Sequence, residues 1–375
     1  MAAQGFLLAL SVVACGTPRG VAPIVVSRET EARVAAMRVR DDAPATVTEI
    51  ATPAELLEGD EASGQVGDWV LANGSVVAIV ADADGSARGG TVVDLVRRSH
   101  GVDDLRALET RAFDQPARYT SLASGVDEAR GVAWIEVSGR AGEVPISTRY
   151  ELARGAEALV LHTAVSTAAR GSARYACADR LALEPGQPPG HRPPCALDYC
   201  SMFGAHEGYL LTPLFGRGTL TEPGDDGAMT VGVEPAATGG GAFVYSRALA
   251  PLDRPDSLGV MVALAIQRGA AVGDVELSVT PDEWSPARII GPGTFVFTPV
   301  DTPADVVVEL MPRIALHPGD HVTVRAPLGG WRVGFWNPDY RMPAEGSTVD
   351  IVADSVARAR ILPVRRRPSS AASAR

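Results

Sequence analysis

The chain has 375 residues, 46% hydrophobic and 21% charged, with a formal net charge of −11 and a sequence pI near 5.1. That length buries a large core, and the acidic balance excludes the basic face with which a nucleic-acid binder neutralises phosphates. All 34 basic residues are arginine, so chemistry built on a lysine amine, Schiff base or P-loop, is excluded too.

Residues Gly5 to Ala14 form an apolar run too short to cross a bilayer as a helix. It has the length of a signal-peptide core. The run ends Val12-Val13-Ala14-Cys15, which resembles the bacterial lipobox. The resemblance implies a lipoprotein signal peptide over 1–15, a diacylated Cys15 as the mature N-terminus and, with Gly16 next, the outer membrane. The plainer reading is an ordinary signal peptide with a chance cysteine. Residues 16–44 read as a leader or linker, with a short helix over Glu29 to Val39.

Thr46 to Ile50 reads as a strand, and Thr52-Pro53-Ala54-Glu55 as one helical turn with proline at its first position. Trp69 to Leu71 and Val76 to Val80 flank Asn73-Gly74, a dipeptide suited to a type I′ turn, and so predict a β-hairpin. Thr91 to Val96 follows as a third strand. Asp103 to Phe113 shows the one stretch of helical spacing in this region. Val132 to Ser138, Val144 to Leu152 and Ala158 to Ser166 read as strands. In the last of these Leu159, Leu161, Thr163 and Val165 share one face. Leu258 to Ile266 reads as an interior strand, and Val275 to Thr280 and Arg288 to Phe297 continue the pattern. Thr302-Pro303 marks a boundary, after which Val306 to Leu310, His321 to Arg325, Trp331 to Phe335, Thr348 to Val352 and Arg358 to Val364 predict five more strands. Residues 366–375 are a basic tail with nothing to bury, expected to be disordered. The fold class is all-β: a large antiparallel supersandwich over 45–300, then a small β-sandwich module over 301–365.

Gly67-Asp68-Trp69-Val70-Leu71 with Asn73-Gly74, then Val92-Val93-Asp94-Leu95, is similar to the β-rich N-terminal region of bacterial lipoproteins associated with CehA/McbA-type PHP metallohydrolases. Val144 to Leu152 and Leu159 to Thr167 fit the same strand pattern. The resemblance implies a galactose-mutarotase-like supersandwich facing the cell envelope. That hydrolase domain carries His-x-His and further His/Asp ligands. No two of His100, His162, His191, His206, His317 and His321 are spaced so. Only fold and location carry over, without the catalytic domain and with no catalytic residue.

Cys177, Cys195 and Cys200 are disulfide candidates, since loop cysteines of an exported protein commonly pair. His191, Cys195, Cys200 and His206 are weak zinc candidates: the residue types suit zinc, but His-x3-Cys-x4-Cys-x5-His is no standard finger, and no metal is assigned. His317 and His321 flank a Pro-Gly turn and read as solvated. Trp331, Trp336 and Tyr340 offer an aromatic platform for a sugar ring, against the plainer reading of core packing. His162 and Glu207 are the pair a mutarotase-like site would need on a concave face. Asp198, Asp282 and Glu283 offer further loose carboxylate pairs. No phosphate loop, Gly-x-Ser-x-Gly elbow or His-Glu-x-x-His motif is present. The sequence therefore reads as an envelope lipoprotein with a non-catalytic binding or scaffold role, its partners the membrane through its lipid and a glycan or envelope protein, with no cofactor and no nucleic acid. The alternatives are an accessory or split part of a carbohydrate-active or metal-dependent hydrolase, and a metal-binding module on the Cys195/Cys200/His206 loop.

Overall fold

In the computed structural model the described residues are 24–37, 43–59, 61–99, 102–166, 173–183, 195–196, 199–204, 207–214, 219–224, 228–233, 242–253, 256–279, 293–300, 313–314, 320–336, 340–341, 347–361 and 364–365. Within the first 253 residues they form helix α1 (Arg28–Ala36) and strands β1 (Thr46–Glu49), β2 (Trp69–Ala72), β3 (Val76–Val80), β4 (Val92–Arg97), β5 (Leu105–Ala112), β6 (Gln115–Asp127), β7 (Val132–Ala141), β8 (Val144–Ala153), β9 (Leu159–Ser166), β10 (Cys177–Leu183), β11 (Cys195–Ala196), β12 (Tyr199–Phe203), β13 (Gly208–Pro213), β14 (Thr219–Pro223), β15 (Met229–Val233) and β16 (Ala242–Leu252). A 3-10 turn at Pro53–Glu55 matches the helical turn read there.

These sixteen strands make one antiparallel ladder. It folds over at the β5–β6 hairpin, where only Arg111↔Pro116 and Ala112↔Gln115 pair. On one side lie β1-β2-β3-β4-β5-β10-β15-β14. On the other lie β6-β7-β8-β9-β16-β13-β12-β11. The inward residues of both layers form one core, Val80, Leu95, Leu108 and Leu181 meeting Ile135, Ile146, Leu161 and Leu211. The alternation expected over Ala158 to Ser166 holds, with Leu159, Leu161 and Val165 in this core.

Four sequence expectations need correction. Asp103 to Phe113 is not helical: Leu105–Ala112 is β5. A register shift against β10 leaves Arg106 unpaired between Leu105↔Leu183 and Ala107↔Ala182. That bulge moves the inward face from Leu105 to Leu108, Thr110 and Ala112, and one extra residue in an alternating pattern imitates a period of three. The β2–β3 hairpin exists, but its turn is displaced by one residue. Asn73 N donates to Val76 O at 3.0 Å, so Gly74-Ser75 are the loop residues, and Gly74 does not take a positive φ. Asn73 builds the turn with its side chain, Oδ1 accepting from the backbone of Ser75 and Val76, both at 2.8 Å.

Leu258 to Ile266 is helical too, inside α2 (Ser257–Gln267). Asp256 caps it, its carboxylate accepting from Gly259 N at 3.0 Å. A helix apolar on every side is one buried on every side. Val260, Ala263 and Leu264 pack on Leu210 and Leu252 of the large sandwich, while Leu258, Val262 and Ile266 pack into the smaller body. That smaller body begins before residue 301. Strand β17 (Val272–Val279) lies between β20 (His321–Pro327) and β24 (Val356–Ile361), and β18 (Gly293–Pro299) lies between β19 (Arg313–Ile314) and β21 (Gly329–Trp336), which pairs β23 (Ser347–Ile351). The β17–β24 pair is parallel. Val275, Leu277, Val324 and Ala359 of the first sheet pack on Phe295, Phe297, Val333 and Ile351 of the second. A last two-stranded ladder joins β22 (Tyr340–Arg341) to β25 (Val364–Arg365). The strand read over Val306 to Leu310 and the 366–375 tail lie outside the described residues.

Candidate functional site

Charged and hydroxyl groups cross the core of the large sandwich. Alternation along β16 turns Tyr245, Arg247 and Leu249 inward, and alternation along β10 turns Asp179 to meet them. Arg247 and Asp179 are both 0% exposed. Arg247 Nε donates to Asp179 Oδ2 at 2.5 Å and Nη2 to Oδ1 at 2.6 Å. Nη2 also reaches Thr110 Oγ1 at 3.1 Å, while Nη1 donates to Thr163 Oγ1 at 2.5 Å and to Tyr245 O at 3.2 Å. All five guanidinium donors are therefore used. Thr163 continues to Thr148 at 2.9 Å and Thr148 to the Tyr119 hydroxyl at 2.6 Å. Burial pushes the neighbouring Cys177 thiol up to about 12, which makes it a packing group and no nucleophile.

The outer face of the second layer carries a cross-strand row, Ala123, Glu136, Arg149, His162 and Ser246, one residue from each of β6, β7, β8, β9 and β16. At its buried end His162 Nδ1 lies 2.8 Å from Ser246 Oγ, and Nε2 lies 3.9 Å from Glu151 Oε2. His162, Ser246 and Glu151 are all buried. Burial, with the charges of Arg247, Arg149 and Arg130, pushes His162 down to about 3, so its imidazole is neutral. Toward its open end the row is partly exposed, the Arg149 and Glu136 side chains at 24% and 31%. Arg149 stacks over the Trp134 indole with its guanidinium carbon 4.4 Å from the ring centre and pairs with Glu151 at 2.9 Å. Gly125, opposite Trp134, leaves room for the indole, since a Cβ there would sit 2.8 Å from Trp134 Cζ2.

A third cluster joins the bodies. Arg325 of β20 donates from Nη1 to Glu157 Oε1 at 2.6 Å and from Nε to Asp253 Oδ2 at 3.1 Å. Arg97 of β4 pairs with Glu157 and, at 2.9 Å, with Asp253. The backbone N–H of Arg97 also donates to Glu207 Oε1 at 3.2 Å.

His162 and Glu207 are therefore not brought together: one lies on the outer face of the second layer, the other against β4 of the first. Trp331 is no open platform. It is 7% exposed, edge-on to Phe297 at 6.3 Å, and its indole N–H donates to Pro327 O at 2.9 Å. The side chains of Trp336 and Tyr340 lie outside the described residues, as do Cys15, His191, Asp198, His206, Asp282, Glu283 and His317. His321 opens β20 and is exposed. Register sets Cys195 opposite Cys200, and Cys177 is a free buried thiol. Among the described residues no three His, Cys, Asp or Glu side chains are grouped to hold a metal ion. Arg247, Asp179 and Trp134 went unnoticed in the sequence; a charged residue on the inward phase of a strand was the available signal for the first two.

No family model and no curated protein matches the chain. Among solved structures, an α-mannosidase from Enterococcus faecalis V583 is similar at TM-score 0.36 and 10% identity, over 53% of this chain and 31% of that one. A TPR-domain containing protein from Parabacteroides distasonis is similar at TM-score 0.33 and 12% identity, over 56% of this chain and 53% of that one. The chain thus spans about a third of the mannosidase it resembles, and likeness at these scores carries no argument about what it does.

Proposed function

We propose that the chain is an envelope lipoprotein, tethered through a diacylated Cys15, whose sandwich is a non-catalytic binding module for an envelope glycan. The observation that supports this is the partly exposed Trp134, with Arg149 stacked over one face of its indole and Glu136 beside that arginine. The part of the indole that Arg149 leaves uncovered suits the apolar C–H groups of a sugar ring, and the flanking charged groups suit its hydroxyls. Among the described residues, Arg247 and Asp179 are enclosed and paired with each other, and His162 and Glu151 are enclosed side by side. A cross-strand Cys195–Cys200 bridge belongs to the same exported reading. The two residues face each other one pair beyond Ala196↔Tyr199, and neighbouring antiparallel strands bring facing Cα atoms to about 4.5–5.5 Å, within disulfide reach.

The test is co-sedimentation of acyl-free protein with purified peptidoglycan sacculi, wild type against Trp134→Ala. Sedimentation lost in the variant, with its thermal unfolding unchanged, supports the reading; equal sedimentation of both, or none of the wild type, overturns it.

A further inference from the structure

Between β4 and β5 the chain runs through a short strap, residues 102–104, laid against residues 58–59. Glu58 and Val102 form an isolated parallel bridge. Asp103 N donates to Glu58 O at 3.4 Å. Gly59, at φ +146, lies so close that a Cβ on it would sit 2.8 Å from Asp103 N. The Asp103 side chain turns beneath the strap and is 0% exposed. Its Oδ1 accepts from Leu95 N at 3.1 Å and from the Tyr209 hydroxyl at 2.9 Å. Its Oδ2 is enclosed with no donor. The Tyr209 hydroxyl also lies 3.1 Å from Leu95 O, a second acceptor for its single proton. The titratable and charged groups on the elements around Asp103 are Asp94 and Arg97 on β4, Glu207 and Tyr209 leading into and on β13, Asp104 beside it and Glu58 across the strap.

We propose that Asp103 is a proton-held latch: carrying a proton on the enclosed oxygen it stays tucked under the strap, and on losing that proton it drives residues 102–104 off residues 58–59. An enclosed carboxylate oxygen without a donor is costly when charged and cheap when protonated. Burial and the Asp94 charge push the group up to about 7, against the pull of the Leu95 N–H, the Tyr209 hydroxyl and the Leu105 N–H. The folded chain holds this proton up to neutral pH, whereas an unfolded aspartate releases it near its ordinary value of 3.8. Stability from this group is therefore greatest in acid and declines as pH rises between those values. Glu207, pushed up to about 8 by its own burial first, adds a separate effect of the same sign.

The test is amide hydrogen exchange on the full chain from pH 5 to 9, expressed as protection factors so that intrinsic exchange divides out. In the wild type, protection at the Leu95 and Asp103 amides is expected to fall up to about tenfold per pH unit from pH 5 to about 7 and to level off above that. Asp103→Asn, a neutral shape mimic, removes that fall, and Glu207→Gln keeps it. A wild type whose strap stays equally protected throughout overturns the latch, and so does an Asp103→Asn variant that loses protection as the wild type does. Should that variant not fold, the wild-type profile and the Glu207→Gln profile decide.

Discussion

Arg247 on one layer and Asp179 on the other meet in a two-pronged ion pair with neither side chain reaching solvent. The pair bolts the sandwich through its core, and removing one half strands a buried charge. Arg247→Met or Asp179→Leu alone is expected to cost about 3–5 kcal/mol of unfolding free energy. The double substitution, which leaves no orphan charge, is expected to cost less than the sum by about 2 kcal/mol or more. Denaturant unfolding of the four proteins closes the cycle, and additive costs would show that the two residues act separately.

The Asn73 side chain makes four hydrogen bonds. Besides the two within its own turn, its Nδ2 donates to Ala153 O and to Ala156 O, each at 2.8 Å. It thus ties the β2–β3 turn to the β8–β9 connection on the other layer. Asn73→Ala is expected to destabilise by about 3 kcal/mol, because the turn loses its side-chain acceptor and two buried carbonyls lose the Asn73 donor, Ala153 O keeping only Ala156 N, read as a lower denaturant midpoint. Asn73→Asp is expected to be nearly as harmful, because it keeps the turn bonds but has no donor for the two carbonyls.

On the acid side Glu157 and His162 contribute to the pH dependence. Burial would push Glu157 up, but Arg325 and Arg97 overcome it and hold the carboxyl at about 2. Stability from this group is present above its ordinary value of 4.5 and is lost as pH falls from there toward 2. His162 is depressed to about 3 from 6.5, chiefly by burial, so its stability is present above 6.5 and is lost as pH falls through that range. In Glu157→Gln, unfolding between pH 4.5 and 2 is expected to lose up to about one proton of pH dependence; in His162→Gln the same happens between 6.5 and 3. Urea midpoints across pH 2 to 8 read both, and variants parallel to the wild type would sink the assignment.

Strand-rich architecture was legible because Leu159, Leu161, Thr163 and Val165 share one face and because two apolar, β-branched runs flank Asn73-Gly74 in the β2–β3 hairpin. It failed where local pattern and tertiary setting part. The bulge at Arg106 disguised β5. In α2 the stretch Leu258 to Ile266, eight apolar side chains and one glycine, carries no period, because the helix is gripped from two sides by bodies far apart in sequence. The boundary read at Thr302-Pro303 missed that β17 pairs with a strand more than 40 residues later. The ionisable clusters were less legible still. Arg247 and Asp179 lie 68 positions apart, and Trp134 meets Arg149 only because β7 and β8 are neighbours. Trp331, singled out for its aromatic company, has that company because it is core.

The central claim is that this body holds a sugar on the Trp134 face and leaves it unchanged. Calorimetric titration with soluble peptidoglycan oligosaccharides, followed by product analysis of the same samples, tests it most directly. The account predicts saturable heat for the wild type, a loss of about 1–3 kcal/mol of binding free energy in Trp134→Ala, and oligosaccharides recovered intact. Cleaved or isomerised sugar, or binding indifferent to Trp134, would contradict it.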